Sequence, residues 1–199
     1  MNASINNNLP ILSNEGGLSA YLEKTKKLKI GNGMDKDTLL GPLCTKQRLE
    51  GVEKLVETTK KEGGKVLLGG KRAANFNKGY FYEPTIFDNI KDNFTVMKEE
   101  PFGPIVPILT FKDFDEVMNR ANNNDLGLCS YVYTTDLKKA NKASEQLESG
   151  CVAVNTPVVA VAEAPFGGIK QTGYGREGGS MAIKDYLNIK YTHFGISYE

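Results

Sequence analysis

From residue 105 onward, short apolar runs alternate with segments whose apolar residues recur at helical spacing. That alternation restricts the fold more than any other feature of the chain. Ile105–Phe111 is apolar enough for a buried strand. Asp113 and Glu116 have capping-box spacing, and Phe114, Val117, Met118 and Ala121 follow at i, i+3, i+4 and i+7, the stripe of a helix with one buried face. Ser130–Thr135 alternates as a strand. Asp136 is placed to cap a helix that turns Leu137, Ala140 and Leu147 inward, and Gly150 lies just past its end. Cys151–Val154 reads as a buried strand, a glycine-rich loop spans 165–175, a helix covers 176–187, and Asn188–Ile196 closes as a strand. Strands alternating with helices predict an α/β fold, a mostly parallel sheet with helices on both faces.

The earlier part of the chain is less regular. Residues 1–16 are rich in Asn and lack periodicity, which reads as a poorly ordered tail. Leu18, Tyr21, Leu22 and Leu28 suggest a short helix ending before Gly31. Thr45 is placed to cap a second helix, whose Leu49, Val52, Leu55, Val56 and Thr59 share one face. Glu50–Lys54 and Glu57–Lys61 have the spacing of favourable ion pairs on its wet side. Lys65–Leu68 and Phe81–Phe87 are strand candidates, the second pushed toward a sheet edge by Pro84. The organisation is thus a tail over 1–16, one α/β domain over 17–187, and a terminal strand over 188–199 that is free to pair with something else.

Several function classes are disfavoured. Lys and Arg together number 25 against 24 Asp and Glu, so no basic excess points to nucleic acid. No apolar run reaches the length of a membrane span, and the N-terminus lacks a basic patch followed by an apolar core, so neither a membrane protein nor a secreted one is expected. The three cysteines, 44, 129 and 151, have no CxxC spacing, and His193 is the single histidine. A metal site and a disulfide framework are both disfavoured, and the reducing cytoplasm is the expected compartment.

Few residues stand out as chemistry-bearing. Gly173–Gly178 fits GxGxxG, yet no strand precedes it and no βαβ unit follows, so a tight glycine turn is the better reading than a dinucleotide cradle. Cys44 precedes a helix, whose N-terminus favours a thiolate. Cys129 and Cys151 lie in apolar strands, where cysteine behaves as a small hydrophobe. Glu99 and Glu100 read as a solvated pair before a turn. Asn155 ends a buried strand and is either a satisfied turn residue or a site donor, since ligands of open α/β sheets sit at strand C-terminal ends.

Five strings taken together resemble one family. Gly41-Pro-Leu43, the run Lys98–Ile105 (KEEPFGPI), Val154-Asn155, the run Pro165–Glu177 (PFGGIKQTGYGRE) and the run Asp185–Tyr191 (DYLNIKY) are similar, in order and spacing, to the C-terminal portion of the NAD(P)-dependent aldehyde dehydrogenase superfamily, with the succinate-semialdehyde dehydrogenases nearest. The resemblance covers residues 18–197. It implies that Glu100 and Phe102 contact the nicotinamide ribose, that Phe166 lines the substrate tunnel, that Asn155 lies near the active site, and that the last strand joins an intersubunit sheet. It implies a Cys thiolate that attacks the aldehyde and a Glu that activates water to cleave the thioester. None of the three cysteines matches the nucleophile's motif, so no catalytic residue is assigned to this chain. The Ser that holds a distal carboxylate in succinate-semialdehyde enzymes has no counterpart in Val158–Glu163.

Residues 17–187 would then be a partial catalytic domain. NAD or NADP would serve the complete enzyme, with tight binding by this chain alone not expected. Its partners would be a small aldehyde substrate, a complementary N-terminal half, and a second copy through the C-terminal strand. The alternative is a non-catalytic truncated remnant that acts as an oligomerisation or interaction module.

Overall fold

Capping chemistry sets the positions of the main helices in the computed structural model, which describes residues 2–5, 9–12 and 15–195. The elements in chain order are strands β1 (Asn2–Ile5) and β2 (Leu9–Leu12), helices α1 (Glu15–Lys26) and α2 (Lys46–Lys61), strands β3 (Lys65–Leu68) and β4 (Thr85–Asp88), and the single turn α3 (Thr95–Lys98). Strands β5 (Ile105–Pro107) and β6 (Leu109–Thr110), helix α4 (Phe114–Asn122), strands β7 (Leu126–Gly127) and β8 (Cys129–Tyr133), helix α5 (Leu137–Gln146), and strands β9 (Cys151–Val154) and β10 (Ile169–Lys170) follow. A 3₁₀ turn over Ala182–Tyr186 comes last.

Helix α2 starts where Thr45 Oγ1 accepts the Arg48 amide at 3.1 Å, and it buries Leu49, Val52, Leu55, Val56 and Thr59, the face read from the sequence. At α4, Asp113 Oδ1 accepts the Glu116 amide, and Glu116 Oε2 reaches back to the Lys112 amide, both at 2.9 Å. Asp136 caps α5 through the Lys139 amide. Ala140, Ala143 and Leu147 are buried, but Leu137 is not: it is 74% exposed, and the buried stripe begins one turn later. The surface ion pairs also differ from expectation. Glu50 pairs with Lys46 and Glu57 with Lys60, one turn toward other partners than Lys54 and Lys61.

The sheets are mixed, which corrects the expectation of a mostly parallel one. A five-stranded sheet runs β6-β2-β1-β8-β9, a three-stranded sheet β3-β4-β5, and a two-stranded ribbon joins β10 to β7. Pairings β2–β6, β4–β5 and β8–β9 are parallel, while β1–β2, β1–β8, β3–β4 and β7–β10 are antiparallel. In the five-stranded sheet the cause is the ribbon of β1 and β2, which lies within residues 1–16 and sits between β6 and β8. The tail read there is therefore corrected at 2–5 and 9–12; residues 1, 6–8 and 13–14 lie outside the described residues.

Three further boundaries moved. The run 105–111 serves two sheets, because Pro107 lacks an N–H and the chain changes partner around Ile108, whose amide bonds Phe87 O at 2.9 Å. Pro84 stops the strand instead of marking an edge: β4 begins at Thr85 and is central in its sheet. Past Arg176, Gly178 and Gly179 take φ of +69° and +63°, so the helix read over 176–187 shrinks to the 3₁₀ turn. Residues 188–195 form no strand in the single chain, and 196 onward lies outside the described residues. No helix of the described residues is long and apolar enough to cross a membrane.

One core cluster gathers Val52, Val56, Tyr82, Phe87, Phe94 and Ile105 between α2 and the three-stranded sheet. A second joins Leu109, Val117, Met118, Val132, Ala143 and Leu147 around α4 and α5. The site segments hang from these two cores.

Candidate functional site

The Glu100–Pro104 turn is built to hold its backbone and present its side chains. Pro101 is buried, and Pro104 O accepts the Thr85 amide at 2.7 Å, fastening the turn to β4. Gly103 packs on α2 so tightly that a Cβ there would lie 2.5 Å from Val52 Cγ2. Phe102 pays for this close seat with φ of +30°, a region bulky side chains avoid at a cost of about 1–3 kcal/mol. Its ring is 63% exposed, with the Arg48 guanidinium 5.3 Å from its centre. Glu100 stands beside it, open to solvent overall, yet partial burial of the carboxyl raises its pKa above the ordinary glutamate value. The turn thus offers a carboxylate and an aromatic face side by side. Arg48 is 54 positions away in sequence, and no pattern along the chain announced its place over Phe102.

Asn155 is positioned differently from a free donor. It follows β9 with φ of +57°, a conformation asparagine tolerates better than most residues. Its Oδ1 accepts the Thr134 amide and its Nδ2 donates to Thr134 O, each at 2.9 Å. The side chain therefore ties the end of β9 to the end of β8 with both of its polar groups. Of the two readings open in the sequence, the satisfied turn residue is the one this geometry fits.

The Phe166 loop is held by backbone. Phe166 and Glu177 exchange amide bonds of 2.7 and 2.8 Å, and Arg176 Nη1 donates to Gly168 O and Gly175 O at 2.9 and 2.7 Å. The Arg176 amide reaches Asp185 Oδ2 at 2.9 Å. Phe166, Gly168, Thr172, Arg176 and Asp185 line an open groove of ≈ 550 Å³, which Glu100, Phe102 and Asn155 do not line. Glycine is needed here for close approach: a Cβ on Gly178 would lie 2.7 Å from Ala164 O, and one on Gly150 would overlap the Gly167 carbonyl. The GxGxxG run packs against its own chain and opens no helix of the described residues that would receive a pyrophosphate, so it does not fit a dinucleotide cradle. The Glu100 carboxylate is an acceptor of the kind a ribose hydroxyl needs, and the exposed Phe102 ring lies two residues from it in the same turn.

The three cysteines differ in their surroundings. Cys44 is exposed, and burial pushes the Cys129 thiol up to about 11, with Cys151 adding to the rise. The described residues hold no group of three or more His, Cys, Asp or Glu placed for a metal.

Comparison with known proteins gives a consistent picture. The sequence pattern of the Aldehyde dehydrogenase family matches residues 15–192. Glutarate-semialdehyde dehydrogenase of Pseudomonas putida is 42% identical over 181 residues, covering 89% of this chain and 37% of that protein. The NADP(+) succinate-semialdehyde dehydrogenase of Escherichia coli is 40% identical over 186 residues, covering 92% of this chain and 38% of that protein. An NAD+ complex of aldehyde dehydrogenase from Bacillus cereus superposes with a TM-score of 0.87 at 40% identity, covering 90% of this chain and 37% of that one. The chain thus spans just over a third of the length of these relatives.

Proposed function

Because the chain belongs to the aldehyde dehydrogenase family, we propose that it supplies the C-terminal part of an NAD(P)-dependent enzyme that oxidises an aldehyde to a carboxylate, with succinate semialdehyde the first substrate to try. The match across residues 15–192 carries this reading. In it, Glu100 accepts hydrogen bonds from the nicotinamide ribose and Phe102 packs against the same ribose. Phe166 forms part of the wall past which the aldehyde enters, and Asn155 holds the ends of β8 and β9 together. The bound nicotinamide would supply the redox chemistry. The nucleophile and general base would come from a complementary N-terminal half, because none of Cys44, Cys129 and Cys151 matches the motif of the family's nucleophile.

A second reading is a non-catalytic oligomerisation or interaction module, favoured by one observation. Of the large apolar residues exposed among those described, ten lie between 158 and 194, including Ile183, Leu187, Ile189, Tyr191 and Phe194. Exposed apolar residues concentrated in one part of a chain fit a surface that binds protein. On either reading a second copy or a complementary half would cover it.

The test is NADH or NADPH formation with succinate semialdehyde and with a short aliphatic aldehyde. The chain alone should give no turnover, since losing a covalent nucleophile removes orders of magnitude of rate. Turnover by the chain alone that Cys44→Ala abolishes would overturn the assignment of the nucleophile to another chain.

A further inference from the structure

Two thiols that the proposed function does not use face each other across a ladder. Cys129 opens β8 and Cys151 opens β9, and the two are direct partners in parallel register, so their side chains leave the same face of the sheet. Burial and the neighbouring Cys151 both raise the Cys129 thiol pKa. Cys129 is buried and Cys151 half-buried, which gives the pair one open side. Cys151 Sγ also reaches toward Gly167 O at 3.9 Å, next to Phe166 of the groove.

Geometry restricts what such a pair can hold. Directly opposed Cβ atoms on neighbouring strands stand about 4.5–5.5 Å apart, at or beyond the upper end of the roughly 3.5–4.5 Å of a relaxed disulfide. A single atom placed between the two sulfurs relieves that mismatch. Zinc would require about four ligands, and no cluster of three or more metal-binding side chains exists among the described residues. A centre satisfied by two thiolates and one carbon meets both conditions.

We propose that Cys129 and Cys151 form a dithiol site for thiophilic trivalent arsenic of the organoarsenous oxide class. Two As–S bonds form and the As–O bonds break. The two thiol protons leave with the oxygen as water, and arsenic stays trivalent throughout, so no oxidant is required. Cys151, the more accessible thiol, reacts first. The second bond is then intramolecular, which makes the closed adduct more durable than any formed with a lone thiol.

Phenylarsine oxide and the full-length chain test this, read by intact mass and peptide mapping. The expected result is one closed adduct per chain, bridging the peptides of Cys129 and Cys151, stable to excess 2-mercaptoethanol and released by 2,3-dimercaptopropanol. Cys151→Ala and Cys129→Ala should each weaken retention by about 100-fold or more, while Cys44→Ser leaves it unchanged. Cys151→Ser serves as a second variant, and circular dichroism of each confirms folding. Retention in either Ala variant, an adduct mapping to Cys44, or no adduct on the folded native chain would overturn the proposal. These results are independent of whether the chain takes part in aldehyde oxidation.

Discussion

Replacing Asn155 tests how β8 and β9 are held together. In Asn155→Ala, the Thr134 amide and carbonyl both lose a partner at 2.9 Å. Each such bond contributes about 0.5–1.5 kcal/mol net, and solvent at this exposed position keeps the loss toward the lower end. Alanine must also hold a φ of +57°, which costs a further 1–2 kcal/mol or about that for a residue with a Cβ. The sum is about 2–4 kcal/mol. Asn155→Gly loses the same bonds without the conformational strain, although its freer unfolded chain returns about 0.4–1 kcal/mol of destabilisation. Asn155→Asp keeps an acceptor for the Thr134 amide and loses only the donor. Urea denaturation followed by circular dichroism should therefore rank the losses Asp, Gly, Ala in rising order. An alanine variant within about 0.5 kcal/mol of the native chain, the usual range for a neutral surface change, would refute the reasoning. So would a glycine variant less stable than alanine.

Other outcomes follow from the same physics. Gly150→Ala should leave the chain insoluble or poorly folded in a solubility and melting assay, because its methyl overlaps the Gly167 carbonyl, whereas Gly33→Ala, with open space around it, should melt like the native chain. Above pH 9 the stability should fall as pH rises: the folded chain holds the Cys129 proton up to about 11 while the unfolded thiol has released it, so the unfolded state is favoured across that window. The Cys129 contribution is about 2–3 kcal/mol for two pH units, Tyr82, held up to about 12 by burial, adds to the fall above pH 10, and Cys129→Ala should lessen the fall that begins at pH 9 in chemical denaturation at a series of pH values. Calorimetric titration of NAD into the chain alone should give a Kd no tighter than millimolar, because one charged hydrogen bond contributes about 1.5–3 kcal/mol against an association cost of about 4 kcal/mol or more; a micromolar Kd would show a complete cofactor site. Light scattering should show association of the native chain that Ile189→Asp together with Tyr191→Asp reduces.

What the sequence disclosed is what local chemistry decides. Thr45, Asp113 and Asp136 start their helices because a side-chain oxygen meets an amide two or three residues on, an arrangement that needs no distant partner. The buried face of α2 was legible for the same reason. The family motifs, too, are local strings: the resemblance read over 18–197 is matched by the family pattern over 15–192. Ladder partners were not legible, since they depend on which distant strand arrives: the run 105–111 divides between two sheets, and Asn2–Ile5 and Leu9–Leu12 found places that their composition did not suggest. Residues 188–195 have the alternation of a strand and no ladder within one chain. The site shows the same division. Phe166 lies where a groove exists, whereas the role of Asn155 turns on Thr134, 21 residues earlier, and that of Phe102 on Arg48.

Strand direction explains how the parallel-sheet reading went astray and what remains of it. β2 runs parallel to β6, β1 antiparallel to β2, and β8 antiparallel to β1. β8 therefore points the same way as β6, and β9 follows β8. The three strands read from residues 105 to 154 do share one direction, as right-handed β-α-β connections require; β1 alone is reversed. In this sheet the expectation failed through insertion of a ribbon, and elsewhere through the antiparallel pairs β3–β4 and β7–β10. Its consequence for the site survives the correction. Parallel β8 and β9 end at the same edge of the sheet, which is the edge where open α/β sheets receive ligands. Thr134 and Asn155 meet there only because the strands run together. Had they been antiparallel, the end of β9 would lie at the start of β8, and the amide of Asn155 would have had no Thr134 to hold.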